Sequence, residues 1–200
     1  MNILSALKSN FKVVEPIFER DILALGYSLD DINETLEENV FEKVDVNIQG
    51  FDFGNVYTLV EYDNLLDNYF KCSDFNLSAI ELFFTGLNNS LGYRFGFSAL
   101  NLIGLSNQVC CSIDIKSKLV TVDIVINLGN CTVNISPLFD NYDSSLVLYY
   151  MFAEAIDNFS NYFDCSLQLV KSLILNEFKL DYSTLERYVK NKGVFYEIFK

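Results

Sequence analysis

The fold is decided by residues 107–137, which read NQVCCSIDIKSKLVTVDIVINLGNCTVNISP. Apolar residues alternate with polar or small ones in three successive runs, at 109–115, 120–126 and 131–135. A period of two residues is typical of a β-strand that buries one of its faces. The short segments between the runs, 116–118 and 128–130, are predicted to be turns. We therefore predict an antiparallel meander around 107–137 with one buried face.

Helical patterns lie on both sides of this sheet. Residues 29–41 space their apolar side chains by three and four, and Ser28 precedes them as a predicted N-cap. Residues 144–158 are rich in large apolar side chains, and Glu154 and Asp157 are the charged residues among them, which predicts a central helix buried against the sheet. Other helices are predicted at 2–10, 15–25, 64–70, 77–87 and 167–178, with a last one opened by a capping box at 183–186 and closed by Gly193.

These patterns predict an α+β fold in which an antiparallel β-sheet is packed by N- and C-terminal helices. Two further strands are expected at 44–48 and 55–62, and a short one at 93–97. The length suits one domain over residues 1–200. Within it we expect an acidic helical part at 1–43, a sheet at 44–137 and a helical part at 143–192.

Composition excludes several kinds of chemistry. The chain contains no histidine, so no serine–histidine triad and no histidine-containing zinc site can form. Neither a C-x-x-C spacing nor a glycine-rich phosphate loop occurs, and we expect no metal and no cofactor. The cysteines are odd in number and lack a framework spacing, which favours reduced thiols; they are Cys72, Cys110, Cys111, Cys131 and Cys165.

The same composition indicates where the protein works. The longest apolar run, 146–153, is far shorter than the roughly 18 residues of a membrane span, and the N-terminal residues do not form a signal core. Asparagine is frequent and arginine is rare, a bias typical of AT-rich bacteria and their phages. We expect a protein of the bacterial cytoplasm, encoded by a phage or mobile element, with no membrane partner.

Negative charge is concentrated near the N-terminus. The net charge is −13, and residues 1–70 contain 14 acidic but only 4 basic side chains. Such a field repels nucleic acid and attracts basic surfaces. The candidate partner-binding residues, whose carboxylates would pair with arginine and lysine of a partner, are Asp30, Asp31, Glu34, Glu37, Glu38 and Asp45.

These residues predict a binding protein and not an enzyme. Carboxylates can occupy a groove that evolved for phosphates, because both offer negative oxygens to the same basic side chains. The leading hypothesis is an acidic inhibitor of the anti-CRISPR or immunity type. It would block the basic surface of a nucleic-acid-handling partner such as a bacterial defence nuclease, and direct binding to nucleic acid is not expected.

The C-terminal residues suggest a second class of function. Residues 174–190, ILNEFKLDYSTLERYVK, resemble a helix-turn-helix, in which a capped second helix enters the major groove of DNA. Lys179 occupies the turn position that usually holds glycine. If residues 174–192 act in this way, the protein is a DNA-binding regulator, and Arg187 and Lys190 contact the DNA.

A third class rests on a short fragment of the predicted sheet. Asp114-Ile115-Lys116 resembles the acid-x-lysine half of a metal-dependent nuclease motif, in which the acid holds a metal ion and the lysine positions water. With this composition, chance alone produces about 1.5 such spacings. A solvated Asp114 and Lys116 at a strand end is therefore the favoured interpretation.

Overall fold

The computed structural model describes residues 2–13, 15–36, 40–44, 46, 52–60, 72–107, 112–159 and 166–200, with only the main chain at 72–75. The chain divides into two compact units, Met1–Leu87 and Asn88–Lys200. A single domain over residues 1–200 stays a prediction.

The first unit combines four described helices with a small antiparallel sheet. The helices are α1 (Ile3–Asn10), α2 (Glu19–Ala24), α3 (Leu29–Thr35) and α4 (Cys72–Thr85), and the strands are β1 (Ile17–Phe18), β2 (Phe41–Val44) and β3 (Val56–Leu59) in the order β1-β3-β2. Its core is formed by apolar side chains from the helices and the sheet, among them Leu7, Ile22, Ile32, Phe41 and Tyr57. Stacking of Phe41 on Tyr57 joins β2 to β3 within this core.

The predicted helix at 29–41 begins where expected but ends early. Ser28 caps it as predicted, and α3 ends at Thr35 because Phe41 starts β2 instead of continuing the helix. Phe41 is buried beside Tyr57, so the last residue of the predicted helix belongs to a strand instead. The predicted helix at 64–70 and most of the strand at 44–48 lie outside the described residues.

The second unit contains a four-stranded sheet and five described α-helices. The strands are β4 (Gly92–Phe95), β5 (Ser112–Ser117), β6 (Ile124–Leu128) and β7 (Cys131–Pro137), and the helices are α5 (Gly96–Leu102), α6 (Val147–Asp157), α7 (Leu167–Ser172), α8 (Tyr182–Tyr188) and α9 (Lys192–Ile198). Together with the first unit, this arrangement confirms the predicted α+β class.

The strand order corrects the predicted meander. The sheet runs β4-β5-β7-β6, and β5 pairs with β7 in parallel, with Ile115 opposite Ile135. A two-residue turn at Gly129 and Asn130 makes β6 and β7 a hairpin, as predicted, and β6 becomes an edge strand. The predicted strand at 120–126 starts only at Ile124. Alternation of side chains identifies strands but does not determine which strands pair.

Helix α6 is the centre of the second unit's core, as the apolar run at 144–158 predicts. Phe152 and Ile156 are fully buried, and they belong to an apolar cluster with side chains of α5, β4 and the C-terminal helices. Burying a large apolar side chain contributes about 1.5–3 kcal/mol relative to leaving it exposed. This cluster therefore fixes α6 in the core of the unit, with the partly exposed Glu154 at its edge.

The C-terminal helices begin and end elsewhere than predicted. Asp181, not Ser183, caps α8, because its carboxylate accepts hydrogen bonds from the main-chain N–H of Thr184 at 2.7 Å and from the Ser183 hydroxyl at 2.6 Å. Helix α8 ends at Tyr188, and Gly193 lies inside α9 instead of closing a helix. Within the described ranges, no helix is long and apolar enough to cross a membrane.

Replacing Gly96 with alanine should destabilise the protein more than replacing Gly129 with alanine. Both glycines have a φ of 59°, which L-residues rarely adopt, but a Cβ on Gly96 would lie 3.1 Å from Asp114 Oδ2 and one on Gly129 would meet nothing within 4 Å. We expect each change to lower the free energy of unfolding by about 1 kcal/mol or more, with the larger loss in Gly96→Ala. Chemical denaturation measures both, and equal losses would contradict the close approach to Asp114.

Candidate functional site

Helix α3 presents two exposed carboxylates on one face. Asp30 and Glu34 are four residues apart, so they lie one above the other on the helix surface. The opposite face is fixed in the core by Ile32, which is 1% exposed. In the described part of the chain neither carboxylate forms an ion pair. These two acids are therefore available to a partner.

Asp31 has a structural task in the same helix. Its carboxylate accepts hydrogen bonds from the main-chain N–H and the hydroxyl of Ser28, at 2.7 and 2.6 Å, and the Ser28 hydroxyl in turn accepts from the N–H of Asp31. This capping box satisfies N–H groups at the helix start. The Ser28 side-chain hydrogen bond, followed by the main-chain one, lowers the pKa of Asp31. Asp31 thus remains charged while it holds α3 in place.

The predicted acidic site is only partly described. Glu37, Glu38 and Asp45 lie outside the described residues, so the structure brings together Asp30, Asp31 and Glu34 alone. The surrounding unit is nonetheless strongly acidic. Residues 1–87 contain 16 acidic and 5 basic side chains, whereas residues 88–200 contain 11 and 9.

Arg20, one of these few basic residues, serves the fold of the first unit. Its guanidinium lies 4.4 Å from the ring centroid of Phe83 and donates hydrogen bonds to the main-chain carbonyls of Leu82 and Phe83. Its Nε lies 3.6 Å from the largely buried carboxylate of Asp21. Burial lowers the pKa of Arg20. Because these contacts occupy Arg20, it leaves the exposed acids of α3 uncompensated.

The C-terminal segment turns at Lys179, and its helix α8 uses several side chains for packing. Lys179 adopts a φ of 51° at the turn position. In α8, Leu185 is fully buried and Tyr182 packs on Phe195 at 4.9 Å between ring centroids. Arg187 is exposed, but the acidic Glu186 lies next to it in α8. DNA binding through 174–192 stays a prediction.

Asp114 and Lys116 lie on β5, as predicted, with separate contacts. The Asp114 carboxylate accepts a hydrogen bond from the side-chain amide of Asn134 at 2.8 Å, and the Lys116 ammonium lies 4.7 Å from the ring centroid of Phe95. In the described ranges, no three acidic or cysteine side chains are grouped to hold a metal ion. This arrangement adds no further candidate metal ligand to Asp114, so it does not strengthen the metal-dependent nuclease hypothesis.

A cavity of about 580 Å³ opens in the second unit. We call it the Glu154 pocket. Its lining combines four aromatic residues with two acids, two lysines and two small residues; the lining residues are Tyr93, Lys116, Phe139, Tyr150, Ala153, Glu154, Asp157, Asn158, Tyr188 and Lys190. A volume of this size is ordinary for a small-molecule site.

Glu154 is the most unusual group in the pocket. It lies on α6, its carboxylate accepts a hydrogen bond from the main-chain N–H of Gly96, and its buried Oε2 has no hydrogen-bond partner among the described residues. Burial raises the pKa of Glu154, although the nearby Lys116 ammonium and the Gly96 hydrogen bond act in the opposite direction. An unpartnered buried oxygen of this kind is costly and often functional.

Aromatic rings form much of the wall beside this carboxylate. Tyr150 contacts Phe139 and Tyr188 edge to face, with centroid distances of 5.0 and 5.1 Å, and it contacts Tyr93 at 5.8 Å. Such ring contacts hold their partners in defined orientations. Asp157 fixes the segment that follows α8, because its carboxylate accepts hydrogen bonds from the main-chain N–H groups of Lys190 and Asn191, at 2.7 Å each.

The sequence alone did not reveal this pocket, although it carried one signal for it. Glu154 and Asp157 were the two charged residues in an otherwise apolar helix, and a charge at a buried helical position is uncommon. The aromatic residues were unremarkable in sequence, because 30 phenylalanines and tyrosines are spread along the whole chain. Only the fold brings Tyr93, Tyr150 and Tyr188 together.

Replacing Glu154 with glutamine should stabilise the protein at neutral pH. A group whose pKa is raised in the folded state stabilises folding at low pH and loses that contribution as pH rises through the raised pKa. We expect Glu154→Gln to raise the free energy of unfolding at pH 7, and the gain to vanish below the unfolded pKa. Glu177→Gln, which removes an exposed charge, is the control. If the difference in unfolding free energy between Glu154→Gln and wild type favours the variant less at pH 7 than at pH 4, the raised pKa of Glu154 is contradicted.

Comparison with known proteins does not place this chain in a family. No family model matches it, and no curated protein matches it in sequence. The functional proposals therefore depend on the residues and geometry described above.

Proposed function

We propose that this protein is a non-enzymatic, acidic binding protein that blocks the basic surface of a nucleic-acid-handling partner. The observation that supports it is the pair of exposed carboxylates, Asp30 and Glu34, aligned on α3 without an ion-pair partner in the described residues. They belong to a unit with 16 acidic and 5 basic side chains. The candidate site also includes Asp31, Glu37, Glu38 and Asp45.

The physical basis of this binding is competition with phosphate. Arginine and lysine of a nucleic-acid groove donate hydrogen bonds to negative oxygens, and carboxylates accept them with similar geometry. A dense negative field also accelerates the encounter with a basic surface. A rigid capped helix positions Asp30 and Glu34 before binding, which reduces the entropy lost on association.

The partner class follows from this chemistry and from the composition of the chain. A bacterial defence nuclease offers a basic groove, and a phage or mobile element gains from blocking it. We propose that the protein acts in the cytoplasm of the bacterial host, without a cofactor. A partner whose groove binds nucleic acid should release this protein when nucleic acid is added.

Neutralising the exposed acids of α3 should weaken partner binding. The double variant Asp30→Asn/Glu34→Gln retains the size and capping of the helix but removes two charges. We expect about a tenfold lower affinity at low salt and a shallower salt dependence. The measurement is capture of host-lysate proteins on immobilised wild type, identification of the retained partner by mass spectrometry, and titration of that partner against both proteins.

A matched control removes the same charge elsewhere. Asp123→Asn/Asp140→Asn changes two exposed acids of the second unit and should leave binding unchanged. Duplex DNA or RNA added in excess should displace the partner from wild type. Unchanged affinity in the α3 variant at low salt, with Glu37 and Glu38 also neutralised, would refute the proposal.

A further inference from the structure

We propose that strand β6 pairs with the β6 of a second copy of this chain, so that two four-stranded sheets join into one. The surface lies wholly within the second unit, and this inference is independent of the acidic surface of α3. The two strands run antiparallel about a twofold axis at Ile126. A twofold axis lets the same edge of both copies serve as the interface.

The open side of β6 offers main-chain hydrogen-bonding groups to another strand. In the order β4-β5-β7-β6, the described residues place a strand on one side of β6 and none on the other. The two-residue turn makes Leu128 and Cys131 a hydrogen-bonded pair, and bonded and non-bonded pairs alternate from there. Val125 and Asn127 therefore direct their N–H and C=O groups to the open edge, where an added strand can pair with them.

The side chains of β6 do little to keep another strand away. Proteins commonly protect a sheet edge with lysine, proline or a bulge. Strand β6 reads IVINL, without a charged residue or a proline, and it pairs with β7 residue by residue from Ile124 to Leu128. Val125 is 60% exposed, and Val122, just before the strand, is 65% exposed. Exposed β-branched side chains of this kind favour strand pairing.

The distribution of charge favours a second copy as the occupant of this edge. With a net charge of −13, two copies repel each other over most of their surface. Residues 124–139 contain no charged side chain, so the repulsion is smallest where β6 meets β6. A neutral edge also gives no electrostatic attraction to the basic surface that α3 is proposed to bind.

The side chains of β6 complement themselves in this arrangement. With the axis at Ile126, Ile124 lies opposite Leu128 of the second copy, so half-buried apolar side chains meet on one face of the joined sheet. Asp123, the nearest acid in the sequence, lies opposite Gly129 of the second copy and not opposite its own equivalent. The pairing thus extends the apolar face of the sheet without bringing like charges together.

Sedimentation velocity of the full chain at about 5–500 µM tests this inference. We expect a reversible dimer with a Kd of about 10–100 µM, since one added strand pair buries less area than a standard interface. Raising the salt concentration from about 0.05 to 0.5 M should strengthen the dimer, because salt screens the repulsion between two acidic copies. The same change should weaken the binding of a basic partner by α3, so the two proposals fail separately.

One variant and a matched control locate the interface. Val125→Lys should lower the dimer affinity about tenfold or more, because it places a charge within the pairing strands. Leu102→Lys adds the same charge at a leucine of α5 that is 54% exposed, and it should leave the dimer unchanged. In the wild type, amide hydrogen exchange at Val125 and Asn127 should slow as the protein concentration rises.

Three results would overturn the proposal. A monomer at all of these concentrations would leave the edge to a strand of another protein. A dimer that survives Val125→Lys would place the interface elsewhere on the chain. A dimer that forms without slower exchange at Val125 and Asn127 would exclude main-chain pairing through β6.

Discussion

The hydrogen bond from the main-chain N–H of Gly96 to the Glu154 carboxylate links the start of α5 to the middle of α6. It requires a residue at position 96 that tolerates a positive φ and the close approach of Asp114, and glycine meets both conditions. It also satisfies one oxygen of a carboxylate that the core of α6 places in the interior. The other oxygen, Oε2, is buried without a hydrogen-bond partner among the described residues, and Lys116 provides a nearby compensating charge.

The two units differ in how they use charge. In the first unit, the partly buried pair of Arg20 and Asp21 and the capping carboxylate of Asp31 serve the fold, and Asp30 and Glu34 stay exposed on α3. In the second unit, opposite charges nearly balance and a few of them line a cavity. Surface charges act at long range and are screened by salt, whereas charges in a cavity act at short range on a ligand that has lost its water.

The sequence was sufficient for local structure and insufficient for long-range pairing. The cap at Ser28, the buried helix α6 and the hairpin turn at Gly129 follow from nearest-neighbour preferences and periodicity, which act over a few residues. The parallel pairing of β5 with β7 does not, because alternation is the same for either partner. For the same reason the acidic surface could be foreseen from composition, whereas the Glu154 pocket could not. Its lining comes from positions 93 to 190, which only the fold brings together.

The most direct test of this account is the pKa of the Glu154 side chain, measured by ¹³C NMR titration of its carboxyl carbon. We expect a value above the ordinary 4.5 in the wild-type protein, because burial outweighs both the Lys116 charge and the Gly96 hydrogen bond. Lys116→Met should raise it further, since that change removes an opposing charge. A pKa at or below 4.5 in the wild type would mean that the carboxylate is solvated or fully paired, and it would contradict the half-satisfied acid on which the pocket depends.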